Sequence, residues 1–198
     1  LEEVMNDPRL NPKAEEIEGQ SWKIVDDTLI CDKHRNITGN WNLIFGDKNW
    51  SNFDLHAEVA TEKQSGSFGL HFLYSDRGKN AYTLRFGPKG DLDDVRVYYV
   101  RDGDHKRTAT NSNFISRKPD SWANVDISVR GSDVLVKVNG KRIRTWDAKV
   151  RSGRIGCYVD DTDNGTKPMW RNIEIRHQNG KLLWRGLPII PDFNSARS

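Results

Sequence analysis

The feature that most limits the fold is a series of short runs in which apolar and polar residues alternate, each closed by turn chemistry. From Trp22 onward the candidate strands are Trp22–Val25, Thr28–Cys31, Trp41–Phe45, Phe53–Ala60, Phe68–Ser75, Ala81–Phe86, Val95–Arg101, Ala123–Arg130, Val134–Val138, Lys141–Trp146, Gly153–Val159, Trp170–Arg176 and Lys181–Trp184. Alternation places successive side chains on opposite faces of a strand. The breaks carry Asp26-Asp27, Gly46-Asp47, Gly78-Lys79-Asn80, Gly131-Ser132, Asn139-Gly140 and Asn179-Gly180. Asn-Gly between alternating runs favours a tight hairpin, because both residues tolerate a positive φ. No stretch past residue 20 holds the 3.6-residue period over a helical length. Many short strands without helices predict an all-β fold, a two-sheet antiparallel jelly-roll sandwich. Residues 1–20, with Pro8, Pro12, Glu15, Glu16 and Glu18, read as an N-terminal extension, 21–185 as the sandwich, and 186–198 as a C-terminal tail strapped over it.

Composition removes several function classes. No run approaches the roughly 20 apolar residues of a spanning helix, so no membrane insertion is expected. Seven Trp, seven Phe and five Tyr supply buried surface that disordered chains lack. The net charge is +3, with basic and acidic residues interleaved. The basic stretch Arg101–Arg107 is broken by Asp102 and Asp104 and reads as a solvated hairpin tip, so nucleic acid is not an expected partner. The chain lacks a Gly-rich phosphate loop, His-Glu-x-x-His, Gly-x-Ser-x-Gly and Cys-x-x-Cys. Cys31 and Cys157 fit no metal spacing and read either as isolated small hydrophobes or as one disulfide in an oxidising compartment. The chain opens Leu-Glu-Glu with no secretory leader, as a processed chain would.

The alternation also assigns faces. Phe53, Leu55, Ala57 and Val59 share one side of their strand; Asp54, His56 and Glu58 share the other. Phe68, Leu70, Phe72 and Tyr74 go inward, with Ser67, Gly69, His71 and Leu73 opposite. Tyr82, Leu84 and Phe86 go inward, with Thr83 and Arg85 outward; Val95, Val97 and Tyr99 go inward, with Arg96 and Tyr98 outward. Ile155, Cys157 and Val159 go inward, with Arg154 and Tyr158 outward. If these strands are neighbours, His56, Glu58, His71, Arg85, Arg96 and Tyr98 make one polar, aromatic face.

Several motifs resemble those of concanavalin A-like (lectin/glucanase) jelly rolls. Trp22-Lys-Ile-Val-Asp-Asp-Thr-Leu is similar to their opening strand. Ser65-Gly66-Ser-Phe-Gly-Leu-His-Phe and Asn80-Ala-Tyr-Thr-Leu-Arg-Phe are similar to their central pair. Ser121-Trp122-Ala-Asn-Val-Asp-Ile-Ser-Val-Arg-Gly, Val136-Lys-Val-Asn-Gly, Ser152-Gly153-Arg-Ile-Gly156 and Trp170-Arg171-Asn172-Ile173-Glu-Ile175 resemble the later strands. The branch most resembled is the laminin-G-like and 3-keto-disaccharide hydrolase group. This implies a sugar-handling context and an extracellular or periplasmic protein. The branch's Asn-Ser-Gly, Glu-x-Gln and Gln-x-His motifs are replaced here by Gln64-Ser65-Gly66, Tyr82-Thr83-Leu84 and Tyr158-Val159-Asp160, so its carboxylate and histidine are not carried over.

The candidate site follows. In a sugar-binding cleft, Glu58 and Arg85 would hydrogen-bond hydroxyls and a histidine would act as base or donor; His71 and Glu58 are the catalytic candidates. His56, His71 and Glu58 could also form a two-His-one-carboxylate metal site, or the face could be solvated with Glu58 paired to Arg85 across strands. Arg96 adds a donor and Tyr98 a stacking ring. Trp50, in the Gly46–Asn52 loop, is either a second stacking residue at a cleft rim or a plug over the sandwich edge. Trp41, Trp122, Trp146 and Trp170 read as core caps. Asp160, Asp161 and Asp163 offer oxygen ligands for Ca²⁺ against the alternative of a plain turn; no other cofactor is expected. The sequence therefore predicts carbohydrate binding on the polar concave face of a jelly roll. The alternatives are a glycoside hydrolase or lyase acting on keto-sugars, or a non-catalytic protein-interaction module.

Overall fold

The computed structural model describes residues 22–31, 41–61, 67–75, 78–87, 95–101, 104–111, 121–159 and 167–190. Among the described residues fourteen strands follow in order: β1 (Trp22–Val25), β2 (Thr28–Cys31), β3 (Trp41–Phe45), β4 (Phe53–Thr61), β5 (Phe68–Ser75), β6 (Asn80–Phe86), β7 (Val95–Arg101), β8 (Asp104–Asn111), β9 (Ala123–Arg130), β10 (Asp133–Val138), β11 (Lys141–Asp147), β12 (Arg154–Val159), β13 (Pro168–His177) and β14 (Leu182–Arg185). They form two antiparallel sheets. The eight-stranded sheet runs β1-β2-β13-β4-β9-β10-β11, with β14 on β13; the six-stranded sheet runs β3-β12-β5-β6-β7-β8. This is the predicted jelly-roll sandwich.

Asn139-Gly140 behaves as its chemistry requires. Both residues have positive φ, 50° and 75°, and join β10 to β11 in a tight hairpin. Asn179-Gly180 also closes a hairpin, between β13 and β14, but only Gly180 is left-handed. There the Gly180 amide bonds the His177 carbonyl and the His177 amide bonds that of Lys181, a wider loop with a left-handed glycine at its end.

The inner faces meet as the alternation predicts. Phe53, Leu55, Ala57 and Val59 of β4 and Val125, Ile127 and Val129 of β9 pack against Phe68, Leu70 and Phe72 of β5, Tyr82, Leu84 and Phe86 of β6, and Ile155, Cys157 and Val159 of β12 in one core. Trp170 and Trp184 are fully buried within it. Trp170 is centred 6.1 Å from Phe68, edge to face, and its indole nitrogen donates to the Gly69 carbonyl across the sheets.

Two expectations change. Tyr74 does not point inward, because the β5–β6 register shifts between Phe72 and Ser75 and Leu73 takes a left-handed φ of 51°. The extra residue reverses the parity of the strand, so Leu73 enters the core and Tyr74 joins Ile44 and Ala81 on the outer side. Secondly, the Arg101–Arg107 region is not a bare hairpin tip: Asp104–Asn111 forms β8 at the edge of the six-stranded sheet. Its sequence, DHKRTATN, has no apolar alternation to announce it, and a polar edge strand resists pairing with other chains.

Cys31 and Cys157 are not joined in a disulfide and are fully buried thiols in the common core. Burial, and then the neighbouring Cys31, push the Cys157 thiol well above its ordinary pKa, so it behaves as a small hydrophobe.

Candidate functional site on the six-stranded sheet

Strand pairing decides which polar residues meet. β4 belongs to the eight-stranded sheet, between β13 and β9, whereas β5, β6 and β7 lie side by side in the other sheet. His56 and Glu58 therefore do not share a face with His71, Arg85, Arg96 and Tyr98. The expected single constellation is split across opposite outer surfaces, and no site combining His56, His71 and Glu58 can form. Glu58 does not pair with Arg85. Its carboxylate accepts from the Arg171 guanidinium and from the Asn172 amide on neighbouring β13, and Arg171 stacks 4.0 Å from the Trp122 ring centre. His56 Nδ1 lies 2.9 Å from Asp126 Oδ1 on β9.

The six-stranded sheet keeps the larger share of the predicted face. Register aligns Ile44, Gly156, His71, Thr83 and Tyr98 in one row across β3, β12, β5, β6 and β7. The next row holds Asn42, Tyr158, Gly69, Arg85 and Arg96. Two glycines in the middle admit a close approach by their neighbours. A Cβ on Gly69 would sit 1.8 Å from the Leu84 carbonyl oxygen, and one on Gly156 would sit 2.4 Å from Ile44 Cδ1.

His71 is the centre of this face and only 7% exposed. Its Nε2 lies 2.8 Å from Asn42 Oδ1 and its Nδ1 2.7 Å from the Thr83 hydroxyl. A carbonyl oxygen only accepts, so Nε2 carries the proton, and Nδ1 accepts from Thr83. The imidazole thus spans from β6 to β3, passing over β12 where Gly156 presents no side chain. Tyr158 meets the ring edge to face at 5.0 Å, and Tyr74 flanks it at 5.6 Å. Both ring nitrogens are engaged, so His71 here is a fixed wall, and neither nitrogen offers a substrate a free lone pair.

Arg85 is anchored beside it. Its Nη2 donates to Ser67 Oγ at 2.8 Å, and the Ser67 hydroxyl donates in turn to the Gly87 carbonyl. The guanidinium carbon lies 5.7 Å from the centre of the Tyr98 ring. Arg96 projects on the same side, opposite Arg85 in register. Among the described side chains, the outward positions of β3, β5, β6, β7 and β12 carry guanidinium, imidazole, phenol, amide and hydroxyl groups and no carboxylate.

Trp50 is absent from this face. It is 6% exposed, packs 6.5 Å from Trp184, and lies against Gly46, where a Cβ would collide with its ring. It is the plug, not the stacking residue. The Asp160, Asp161 and Asp163 cluster and the side chains of Trp41 and Trp146 lie outside the described residues. Among the described residues no group of three or more His, Cys, Asp or Glu could hold a metal ion, and no helix is long and apolar enough to cross a membrane. The residues that sequence reasoning passed over are Asn42 and Tyr74. Asn42 was legible as the lone polar residue in Trp41–Phe45; Tyr74 was hidden by the bulge.

A family model described as the 3-keto-α-glucoside-1,2-lyase-like domain matches residues 10–176. No curated protein matches the sequence. Among solved structures, the carbohydrate-binding module CBM66 from Bacillus subtilis is similar in fold, with a TM-score of 0.62 at 14% identity, covering 79% of this chain and 91% of that one. A Bacillus subtilis protein of unknown function with a galectin-like fold gives 0.60 at 15% identity over 83% and 88%. The Bacillus licheniformis β-glucanase gives 0.59 at 10% identity over 76% and 80%.

Proposed function

Because the chain belongs to the 3-keto-α-glucoside-1,2-lyase-like domain family, we propose that it binds a carbohydrate on the outer face of its six-stranded sheet, in an extracellular or periplasmic setting. The observation that carries this reading is the locked group around His71. The Thr83 and Asn42 hydrogen bonds hold the imidazole between two phenol rings, beside a guanidinium tethered through Ser67. Sugars present C–H faces to aromatic rings and hydroxyls to planar donors, and a site whose groups are already ordered loses little entropy on binding. His71, Arg85, Arg96 and Tyr98 are the ligand-contacting residues, with Tyr98 and Tyr158 as stacking surfaces. The laminin-G-like character of the domain belongs to the same reading.

Binding is favoured over hydrolysis because glycoside hydrolysis ordinarily uses two carboxyl groups about 5–9.5 Å apart, and none is among the described side chains of this face. A second reading, elimination on a keto-sugar, is favoured by the family match and would use His71 after its hydrogen bonds rearrange. The test is a glycan array followed by thermal shift. A ligand at a hundred times its Kd stabilises the fold by about 2.7 kcal/mol. The expected result is a sugar-dependent rise in Tm for the wild type that is reduced in Arg85→Ala and Tyr98→Ala. A blank array, or binding untouched by both substitutions, overturns the reading. Turnover of 3-keto-glucosides that disappears in His71→Gln would replace it with the second.

A further inference from the structure

The eight-stranded sheet carries a separate depression on its own outer face, with a volume of about 350 Å³. Register sets Glu174, His56, Asp126 and Lys137 side by side across β13, β4, β9 and β10. Ser128 and Leu135 face each other in the adjoining row of β9 and β10. All six line the depression.

The charges of this face are settled unevenly. Glu174 is held by Arg176 and Arg185, and Asp54 by Arg130. Asp126 gives one carboxylate oxygen to His56. Lys137 lies directly opposite Asp126, yet the two form no ion pair among the described residues, and neither the Lys137 ammonium nor the Ser128 hydroxyl has a hydrogen-bond partner there. A carboxylate and an ammonium on facing strands therefore line the same depression without being joined to each other. Leu135 is half-buried and adds an aliphatic surface beside them.

We propose that this depression is a second carbohydrate subsite, one that takes a neutral sugar unit. Its occupant would place two adjacent hydroxyls between Asp126 and Lys137, one donating to the carboxylate and the other accepting from the ammonium. A third hydroxyl meets Ser128, and the C–H face of the ring packs on Leu135. A neutral sugar suits the pair because its hydroxyls can donate to Asp126 and accept from Lys137 at once, whereas a ligand of single charge satisfies one of the two and meets the like charge of the other. The volume lies at the small end of ligand pockets, which suits a single ring with part of a neighbour. The subsite lies on the opposite sheet from His71 and does not depend on the function proposed for that face.

The experiment is an NMR titration of the full chain with methyl α- and β-glucosides, methyl galactoside, sucrose and glucuronate as probes. The expected result is a saturable shift of amides in β9 and β10 with at least one neutral probe. Lys137→Ala and Asp126→Asn should each raise Kd by about tenfold, the value of one charge-assisted hydrogen bond. Arg85→Ala, on the other sheet, should leave these shifts unchanged. Both substituted side chains are at the surface, and unchanged far-UV circular dichroism verifies the fold. The proposal is overturned if no neutral probe shifts these amides up to its solubility limit. It is also overturned if both variants bind as the wild type does, or if glucuronate binds more tightly than the neutral probes. Loss of sugar binding at the His71 face alone would leave these shifts in place.

Discussion

Replacing Thr83 by Val tests the locking of His71 directly. The substitution keeps the β-branched shape and removes the hydroxyl that donates to His71 Nδ1 at 2.7 Å. Thr83 is 5% exposed and His71 7%, so water does not readily replace the lost donor. A buried acceptor left without its partner costs about 1–3 kcal/mol, and the upper end applies when no water enters. The expected loss is about 2–3 kcal/mol, which for a domain of this size lowers Tm by roughly 4–12 °C. Urea unfolding should show a lower midpoint with an unchanged slope, since the surface exposed on unfolding is the same. The decisive measurement is a double-mutant cycle with His71→Phe. In that background no ring nitrogen remains to be stranded, so Thr83→Val should cost less than about 0.5 kcal/mol. Equal costs in both backgrounds would mean that Thr83 acts through packing alone, and the account of a hydrogen-bonded imidazole would fail.

Glu174 sets part of the acid limit of stability. Burial pulls its carboxyl upward, but the hydrogen bonds and charges of Arg176 and Arg185 outweigh this and hold it below its usual 4.5. Its contribution is therefore in place above that value and lost as pH falls through the lower folded value; Glu174→Gln should flatten the stability profile in that acid window and leave the slope near pH 7 unchanged, as read by urea midpoints at stepped pH. Gly69→Ala should destabilise the fold by about 1–3 kcal/mol or more, because its Cβ would lie 1.8 Å from the Leu84 carbonyl oxygen and β5 and β6 must part to admit it; a melting temperature equal to that of the wild type would contradict the close approach of the two strands.

Much of the fold was legible because a pleated strand has an inviolable parity. Once one residue of Phe53–Thr61 or Asn80–Phe86 is known to face the core, every second residue follows, and the inner faces of β4, β6, β7 and β12 are those expected. The turn at Asn139-Gly140 was legible for a local reason, since both residues accept the left-handed backbone. Two failures of the same logic are also local. The bulge at Leu73 adds one residue and exchanges Leu73 with Tyr74, and β8 has no apolar alternation to read.

The candidate site was less legible because its composition depends on which strands are neighbours. β4 and β5 follow each other in the chain yet enter different sheets. Glu58 meets Arg171, 113 residues away, instead of Arg85. Alternation along the chain determines which side of its own strand a residue occupies, since that is set by the backbone of the residue and its immediate neighbours. Pairing between strands is a property of the assembled sheets, chosen by the packing of two whole hydrophobic faces. Only that packing separated His56 from His71 and placed Asn42 two strands away within hydrogen-bonding reach of the imidazole.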